Sequence, residues 1–422
     1  MVMPLLPSGR ILASGVAVLL AGLLASCSGG SGSPAEREAP SRGGTDSAAA
    51  PTLDWSHEPD RSTVRPQRIT QYDLDRAHWA TGYRLPRQMP EDLQELPDLL
   101  DDLPGKAIAT VYGEIDDLNG RVPPRTYATP WARETVYFYG DDGRWRVLHL
   151  EDLGLPAAGW QGSDSYGAGA LSPDGRWWAT KSLRGSVVLD LATGELHRGP
   201  ASQTAVGYQW TGDSQRVHIT NQGIGPGQWA AAPRFGKPRP ASGTIYPYAG
   251  GYAQFDPQRA TPPLTYGFYN NNDRLVRTAV VGEGVLGPPF VYRDAGESSV
   301  EYGYLRAVSS DGKSAGFLSS AAMSGKEYST ELTVVAIESG SVTSRAQFSA
   351  RLISGVDFFE GDHWMLDPGV GDLGYEAFPG VRYVWDARTG SVRKLIDLTL
   401  DDSEYRIYDL SYARNLLVGR RP

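Results

Sequence analysis

The sequence predicts an all-β fold in which repeated four-stranded sheets close into a ring. Three observations predict it: an excess of turn-forming residues, two interleaved series of turns, and a spacing near 50 residues in one of these series. The chain has 50 glycines and 30 prolines among its 422 residues. Because these are the two least favourable residues in a helix interior, the composition disfavours a helical bundle.

Two kinds of turn recur along the chain. The first series contains aspartate, often next to glycine, and occurs at residues 172–176, 211–214, 272–274, 310–313 and 360–363, with a degenerate copy at 410–414. The second series is an apolar strand, a polar turn and a glycine; its glycines are Gly143, Gly194, Gly243, Gly296, Gly340 and Gly390. Such turns supply the positive φ values that tight hairpins need, so the runs between them are predicted strands.

The spacing of the turns predicts how the ring closes. The second-series glycines lie 51, 49, 53, 44 and 50 residues apart. Gly143 has no aspartate turn before it, and the copy at 410–414 has no glycine after it, so the two unmatched halves complete one another. Four-stranded repeats of 40 to 50 residues are typical of β-propellers. We therefore predict a six-bladed β-propeller over residues 105–422, with one blade built from both chain ends. A pair of β-sandwiches is the alternative, but it does not predict the matched halves.

One repeat carries a family resemblance. Ser-Pro-Asp-Gly-Arg at 172–176 precedes Trp-Trp-Ala-Thr, and Leu-Asp-Leu-Ala-Thr-Gly-Glu follows at 189–195. This pattern resembles the WD-repeat and TolB-like propeller families, with good matches in about four of the six expected blades. The resemblance implies that the first strand of each blade lines a central channel. TolB-like propellers act in envelope complexes, but the roughly 40 residues before the ring cannot hold the separate domain that TolB carries.

The N-terminal residues predict export and lipidation. Residues 11–24 are apolar or small, too few to span a membrane core that needs about 20, and are typical of a secretory signal. Leu-Ala-Ser-Cys follows at 24–27 and resembles the bacterial lipoprotein signal. We predict a signal peptide over 1–26 and a lipid, including palmitate, on Cys27, which anchors the protein at the extracytoplasmic face of the cell membrane. An ordinary signal peptide or an uncleaved anchor is the alternative. Because Cys27 is the only cysteine, no internal disulfide is expected.

Two segments separate Cys27 from the ring. Residues 27–65 are predicted to form a disordered tether, since residues 28–51 consist mostly of Ser, Gly, Pro and Ala. Residues 66–104 form a pre-propeller segment, in which five leucines between 93 and 103 recur at helical spacing interrupted by Pro97. We expect short turns that pack these leucines on the side of the propeller; an acidic docking peptide is the alternative.

Motifs for catalysis, cofactors and metals are weak. Residues 282–287 read GxGxxG, but two prolines follow, so an inter-strand loop is predicted instead of a dinucleotide site. There is no GxSxG, and the six histidines have no metal-ligand spacing. Residues 116–120 lack the alternating carboxylates of a calcium loop, which leaves an adventitious ion there as the alternative. No catalytic residue, cofactor or metal is predicted, and 40 Lys and Arg against 49 Asp and Glu argue against a nucleic-acid partner.

Tyrosines and glycines precede the aspartate turns and predict an aromatic channel mouth, although plain packing between blades is the alternative. The candidate ligand-binding residues are Tyr166, Tyr208, Tyr246, Tyr248, Tyr266, Tyr269, Arg306 and Asp357. The interval from Asp213 to Asp273 is longer than its neighbours and predicts an inserted partner-binding loop. Its aromatic residues are Trp229, Phe235, Tyr246, Tyr248 and Tyr252. A loop that only covers a blade edge is the alternative.

The function expected from the sequence is non-enzymatic binding of a protein, peptide or cell-wall glycan. The competing class is a propeller enzyme, lactonase-, lyase- or glycosidase-like, whose residues meet at the channel mouth from several blades. Tyrosines and glycines alone at the mouth favour binding, whereas clustered Asp, Asn and His favour an enzyme.

Overall fold

The chain divides into two units, of which Ala49–Pro422 is the second and is compact. Everything the computed structural model describes belongs to the second unit. The described residues are 50–55, 63–93, 95–115, 135–154, 169–182, 185–199, 205–221, 227–231, 240–241, 245–255, 262–286, 290–294, 297–301, 303–322, 328–349, 353–368, 380–398 and 405–418.

Six sheets of four or five strands make up most of the described chain. Sheet I contains β3 (Ala107–Ile115), β4 (Thr135–Gly140), β5 (Trp145–His149) and the C-terminal β28 (Tyr405–Tyr412). Sheet II contains β6 (Ala170–Leu171), β7 (Trp177–Ser182), β8 (Gly185–Asp190) and β9 (Leu196–Arg198). Sheet III contains β10 (Ala205–Trp210), β11 (Arg216–Asn221), β12 (Gly227–Ala231) and β13 (Pro240–Ala241).

The remaining sheets follow the same pattern. Sheet IV contains β14 (Ile245–Tyr248), β15 (Gly251–Phe255), β16 (Leu264–Asn270), β17 (Leu275–Val281) and the N-terminal β1 (Thr52–Trp55). Sheet V contains β20 (Tyr304–Val308), β21 (Ser314–Ala322), β22 (Tyr328–Ala336), β23 (Val342–Ser349) and β2 (Gln67–Ile69). Sheet VI contains β24 (Ile353–Glu360), β25 (His363–Pro368), β26 (Val381–Asp386) and β27 (Val392–Asp397). A separate hairpin consists of β18 (Phe290–Asp294) and β19 (Glu297–Glu301).

The first strands of the sheets meet at the centre. Contacts join β28 to β6, β6 to β10, β10 to β14, β14 to β20 and β20 to β24. The circuit closes where Tyr412 of β28 donates a hydrogen bond to Asp357 of β24. Successive antiparallel sheets whose first strands surround one axis form a propeller, so the predicted all-β propeller fold is confirmed.

Sheet I joins the C-terminal strand to the three strands that follow the residues 50–104. The last strand, β28, pairs antiparallel with β3 from Tyr405 opposite Ile115 to Tyr412 opposite Ala109. This arrangement holds the ring shut by backbone hydrogen bonds between residues almost 300 positions apart in sequence.

A segment before the ring runs along its outside. Residues 50–55 and 63–104, here called the outer belt, meet the outer strands of four successive sheets. β1 pairs parallel with β17 and β2 pairs parallel with β23. Trp79 then bridges to β27, and Asp98 bridges to β5. Strand β1 lies within residues 27–65, the range predicted for the tether.

The belt is held by apolar side chains as well as by backbone pairing. The indole of Trp55 is 2% exposed and packs edge-on against Phe268 and Phe317, between sheets IV and V. Leu99 is fully buried in the cluster that contains Phe138 and Leu148 of sheet I. The predicted packing of belt leucines on the side of the ring is therefore observed for Leu99.

The described helices are short and lie before, between or after the strands. These are α1 (Gln71–Asp75), α2 (Glu283–Leu286) and two 3-10 helices, Leu150–Leu153 and Arg414–Leu416. Helix α2 falls in the GxGxxG segment, where a loop was predicted; it is a single turn that buries Val285 and Leu286. Across the described part of the chain, no helix is long and apolar enough to cross a membrane.

The core lies between neighbouring sheets and is built around tryptophan. Trp178 of β7 packs edge-on against Phe138 of β4, with ring centroids 5.4 Å apart. Trp364 of β25 lies against Gly316 of β21, where an added Cβ would meet the indole at 2.4 Å. A glycine at position 316 therefore makes room for the aromatic side chain of the next sheet.

The structure corrects the assignment of two turns. The turn at 272–274 joins β16 to β17, the position of the second series, whereas the β14–β15 turn at 249–250 occupies the first-series position. The described part of the interval from Asp213 to Asp273 consists largely of strands of sheets III and IV, so Tyr246, Tyr248 and Tyr252 lie in strands and not in an inserted loop as predicted. The additional elements lie after β17, as helix α2 and the β18–β19 hairpin. Of the aromatic residues assigned to that loop, Phe235 lies outside the described residues.

Candidate ligand-binding channel

The predicted ligand residues fall into three groups. Tyr166 and the lipidation candidate Cys27 lie outside the described residues. Tyr266 and Tyr269 are in the third strand of sheet IV. The candidates on first strands are Tyr208, Tyr246, Tyr248, Arg306 and Asp357.

Tyr266 belongs to the core and not to the channel. Its side chain is 1% exposed, and its hydroxyl accepts a hydrogen bond from the backbone N–H of Leu305 at 3.3 Å. Its ring packs edge-on against Phe317 of sheet V, with centroids 5.9 Å apart. Burial raises the pKa of Tyr266 above its ordinary value. The structure places Tyr266 in the core and not at the predicted channel mouth, because the turn after β16 was taken for a first-series turn.

Two further tyrosines have structural partners. Tyr269 stacks on Tyr252 of β15, with ring centroids 5.1 Å apart and an interplanar angle of 12°. The Tyr248 hydroxyl donates to the backbone oxygen of Tyr269 at 3.3 Å, and its ring lies against Gly312. These contacts join sheets IV and V at the turn end of the channel.

Tyr208 and Tyr246 are half-buried on neighbouring first strands, β10 and β14. Burial raises the pKa of each tyrosine to about 12. The Tyr208 hydroxyl lies 3.0 Å from the Ser186 hydroxyl. At neutral pH both side chains are therefore uncharged phenols that can donate and accept hydrogen bonds.

Arg306 stands at a break in the regular pairing of sheet V. The register of β20 against β21 shifts between Leu305 and Ala307, so Arg306 is the extra residue of a bulge. Its guanidinium carbon lies 4.3 Å from the ring centroid of Tyr304, which is 43% exposed. Both residues are close enough to Tyr246 to influence its pKa. Arg306, Tyr304 and Tyr246 thus form one cationic and aromatic group on two adjacent first strands.

Asp357 of β24 forms an ion pair with Arg414, which follows the neighbouring strand β28 and also reaches across the channel. Arg414 places one terminal nitrogen 2.9 and 3.1 Å from the two Asp357 oxygens. The other terminal nitrogen donates to the backbone oxygen of Pro247 on β14 at 3.1 Å. Two first strands separate β28 from β14 in either direction round the ring, so Arg414, which follows β28, reaches the opposite side of the channel.

The Asp357 carboxylate stabilises the neutral phenol of Tyr412 and the charged guanidinium of Arg414. Burial raises the pKa of Tyr412, and the Asp357 carboxylate raises it further. Burial lowers the pKa of Arg414, but Asp357 and Tyr412 together raise it by more, and the net shift is upward. The side chains of Asp357 and Arg414 remain 27% and 24% accessible, which fits the lining of a channel. The sequence missed Arg414 because it lies in the most degenerate repeat.

The described channel can offer a ligand ring faces and hydrogen bonds near neutral pH. Its phenols are neutral and its carboxylate is ion-paired. Among the described residues, no group of three or more His, Cys, Asp or Glu could hold a metal ion.

No family model matches the chain, and no curated protein matches it. Among solved structures it is similar to the putative TolB of Agrobacterium tumefaciens, at 13% identity and TM-score 0.35, covering 73% of this chain and 99% of that one. An oligogalacturonate lyase in complex with manganese matches at 11% identity and TM-score 0.34, over 57% of this chain and 78% of that one. The acylaminoacyl peptidase of Pyrococcus horikoshii matches at 12% identity and TM-score 0.35, over 71% of this chain and 47% of that one. All three TM-scores are below 0.5, so the assignment of the fold depends on the order of the strands.

Proposed function

We propose that this protein is a lipid-anchored, six-bladed propeller at the extracytoplasmic face of a bacterial membrane, where it binds a protein, peptide or cell-wall glycan without catalysis. Each of the sheets I to VI would be one blade. The group formed by Tyr246, Tyr304 and Arg306 carries the proposal for binding. A guanidinium stacked on one tyrosine beside a neutral phenol offers a flat face and hydrogen-bond donors to a ligand.

The anchor is supported by the sequence of residues 11–27, in which an apolar run ends at the only cysteine. Cys27→Ala is expected to abolish labelling by an alkynyl fatty acid and to release the protein from membranes or leave it unprocessed. Labelling that persists in this variant would contradict the proposed anchor.

A photo-crosslinking experiment tests the binding site. A photoreactive phenylalanine analogue at Tyr304 should give a discrete adduct in intact cells, and Arg306→Ala should weaken it. The same analogue at the exposed Glu195 of sheet II is the matched control. Identical adducts from both positions, or none at Tyr304, would overturn the proposed site.

Native mass spectrometry separates binding from catalysis. The purified chain should carry no stoichiometric divalent ion after buffer exchange. A retained ion would favour the enzyme alternative and would direct attention to the channel carboxylates.

A further inference from the structure

The outer belt carries a patch that combines exposed cations with aromatic rings. We call it the basic rim; its residues are Arg65, Arg68, Arg76, Arg87, Arg393 and Lys394. All but Lys394 are exposed, and they lie along β2, α1 and β27, at the outer edge of sheets V and VI. The net charge of the whole chain is −9, so this edge differs in sign from the average surface.

Two aromatic side chains are stacked with these cations. The Tyr72 side chain is 64% exposed, and the Arg76 guanidinium carbon lies 5.0 Å from its ring centroid. The Trp79 ring lies 5.3 Å from the guanidinium carbon of Arg87 and 5.6 Å from the ammonium of Lys394. These rings are held in place, because α1 begins with a capping box and Trp79 bridges to β27.

Among the described residues of β2, α1 and β27, three carboxylates accompany the basic rim, and each has a local partner. Asp73 accepts from the backbone N–H and hydroxyl of Thr70, while Asp75 accepts from Gln71 at 2.7 Å. Asp397 pairs with Lys394 at 2.9 Å. The described part of the basic rim therefore contains six cations and three carboxylates. Further along the belt the sign reverses, since residues 91–102 contain six acidic residues and no basic one.

From this geometry we infer that the basic rim binds the surface of an anionic phospholipid bilayer. Cations attract anionic headgroups, and tyrosine and tryptophan favour the interface between water and hydrocarbon. The reversal of charge along the belt would turn the basic part towards the membrane and the acidic part away from it. The proposed lipid on Cys27 also favours a bilayer as the partner. The chain that follows Cys27 enters the ring at β1 in sheet IV, next to sheet V and the basic rim.

Vesicle co-sedimentation tests the inference independently of the lipid on Cys27. The non-lipidated chain from Ser28 to Pro422 contains the whole compact unit Ala49–Pro422. It should bind vesicles of phosphatidylcholine with about one third phosphatidylglycerol more tightly than pure phosphatidylcholine, and added salt should weaken this binding. The triple variant Arg76→Gln, Arg87→Gln and Arg393→Gln should bind about 100-fold more weakly.

A matched control removes three exposed cations elsewhere. Lys106→Gln, Arg198→Gln and Arg274→Gln change the net charge equally but leave the basic rim intact, and this variant should retain most of the binding. Circular dichroism should show the same Tm for both variants, which separates lost binding from lost folding.

Three outcomes would overturn the inference: equal binding to neutral and anionic vesicles, equal losses in the two variants, or tighter binding to soluble polyglutamate than to the vesicles. The last result would indicate an acidic protein as the partner of this edge. Because the assay uses a chain without lipid, its failure leaves the proposed anchor at Cys27 intact.

Discussion

At the scale of single residues, the ion pair of Asp357 and Arg414 fixes the end of the closing strand. It connects β24 with the residues after β28, and a further hydrogen bond reaches Pro247 on β14. A quarter of each side chain is accessible, so water screens the pair in part.

Arg414→Ala should lower the free energy of unfolding by about 2 kcal/mol, because it leaves Asp357 without its main cation inside the channel. Denaturant unfolding measures the change. Arg144→Ala serves as a control: Arg144 also pairs with aspartates but is 61% exposed, and its loss should cost less than about 0.5 kcal/mol. Equal effects of the two substitutions would show that the channel pair has no special role.

A second residue predicts a dependence of stability on pH. His218 of β11 is fully buried, and burial lowers its pKa to about 4 from an ordinary value of 6.5. Between these values the unfolded chain binds the proton and the folded protein does not. The contribution of neutral His218 to the free energy of unfolding is therefore fully present above pH 6.5. It is lost as the pH falls towards 4, which lowers the free energy of unfolding by about 3 kcal/mol.

His218→Gln should remove most of this slope in unfolding curves recorded between pH 4 and 7. His78→Gln should keep it, since His78 is exposed. A wild-type chain with constant stability over this range would contradict a neutral, buried His218.

At the scale of elements, the outer belt depends on a few buried side chains. Trp55 ends β1 and fills the space beside Gly340, which has a φ of +71° and whose added Cβ would meet the indole at 2.2 Å. Trp55→Ala should lower the free energy of unfolding by about 3 to 5 kcal/mol, because it empties a site between sheets IV and V.

Tyr72→Ala is the matched control for Trp55, because Tyr72 is an exposed aromatic residue of the same belt. Its effect on stability should stay within about 0.5 kcal/mol. Thermal unfolding of both variants checks the pair, and a Trp55 variant as stable as the wild type would show that β1 is dispensable.

The turns show how much of the fold could be predicted from sequence. In Thr211–Asp213 and Ser309–Asp311 the hydroxyl donates to the carboxylate at 2.6 and 2.7 Å, and these signals placed the first-series turns correctly. The 272–274 turn uses equivalent chemistry, since the Asn270 side chain accepts two backbone N–H groups. Local turn chemistry is therefore the same between first and second strands as between third and fourth. Only the pairing of strands distinguishes them, which is why Tyr266 was misassigned and why the turn of the separate β18–β19 hairpin was taken for the second-series turn of a blade.

The candidate site was predictable in part for a related reason. Tyr208, Tyr246 and Arg306 were found because they precede turns in strands that do line the channel. Arg414 acts across the ring on residues 57 and 167 positions away, and no local pattern records such a contact.

At the scale of the whole molecule, closure combines an inner and an outer connection. Inside, β28 pairs with β3; outside, the belt passes from sheet IV to sheet I. A truncation that removes residues 405–422 deletes the first strand of sheet I and the ion pair to Asp357. The truncated chain should lose cooperative unfolding and expose its apolar core to a fluorescent dye.

A synthetic peptide of residues 405–422, added to the truncated chain, should restore a cooperative transition in proportion to its concentration. This rescue is the control for irreversible misfolding. A truncated chain that unfolds as cooperatively as the wild type without the peptide would contradict closure by β28.

The place where the belt begins also determines how the protein would respond to mechanical force. Thr52 to Trp55 pair with four successive residues of β17, parallel to that strand. A pull on the chain from upstream acts along β1, so all its hydrogen bonds are loaded together in shear and the Trp55 indole must leave the core before the strand can slide. Tension on the proposed membrane tether would thus act on sheet IV at the outer edge of the ring, and the strands that line the channel would carry none of it directly.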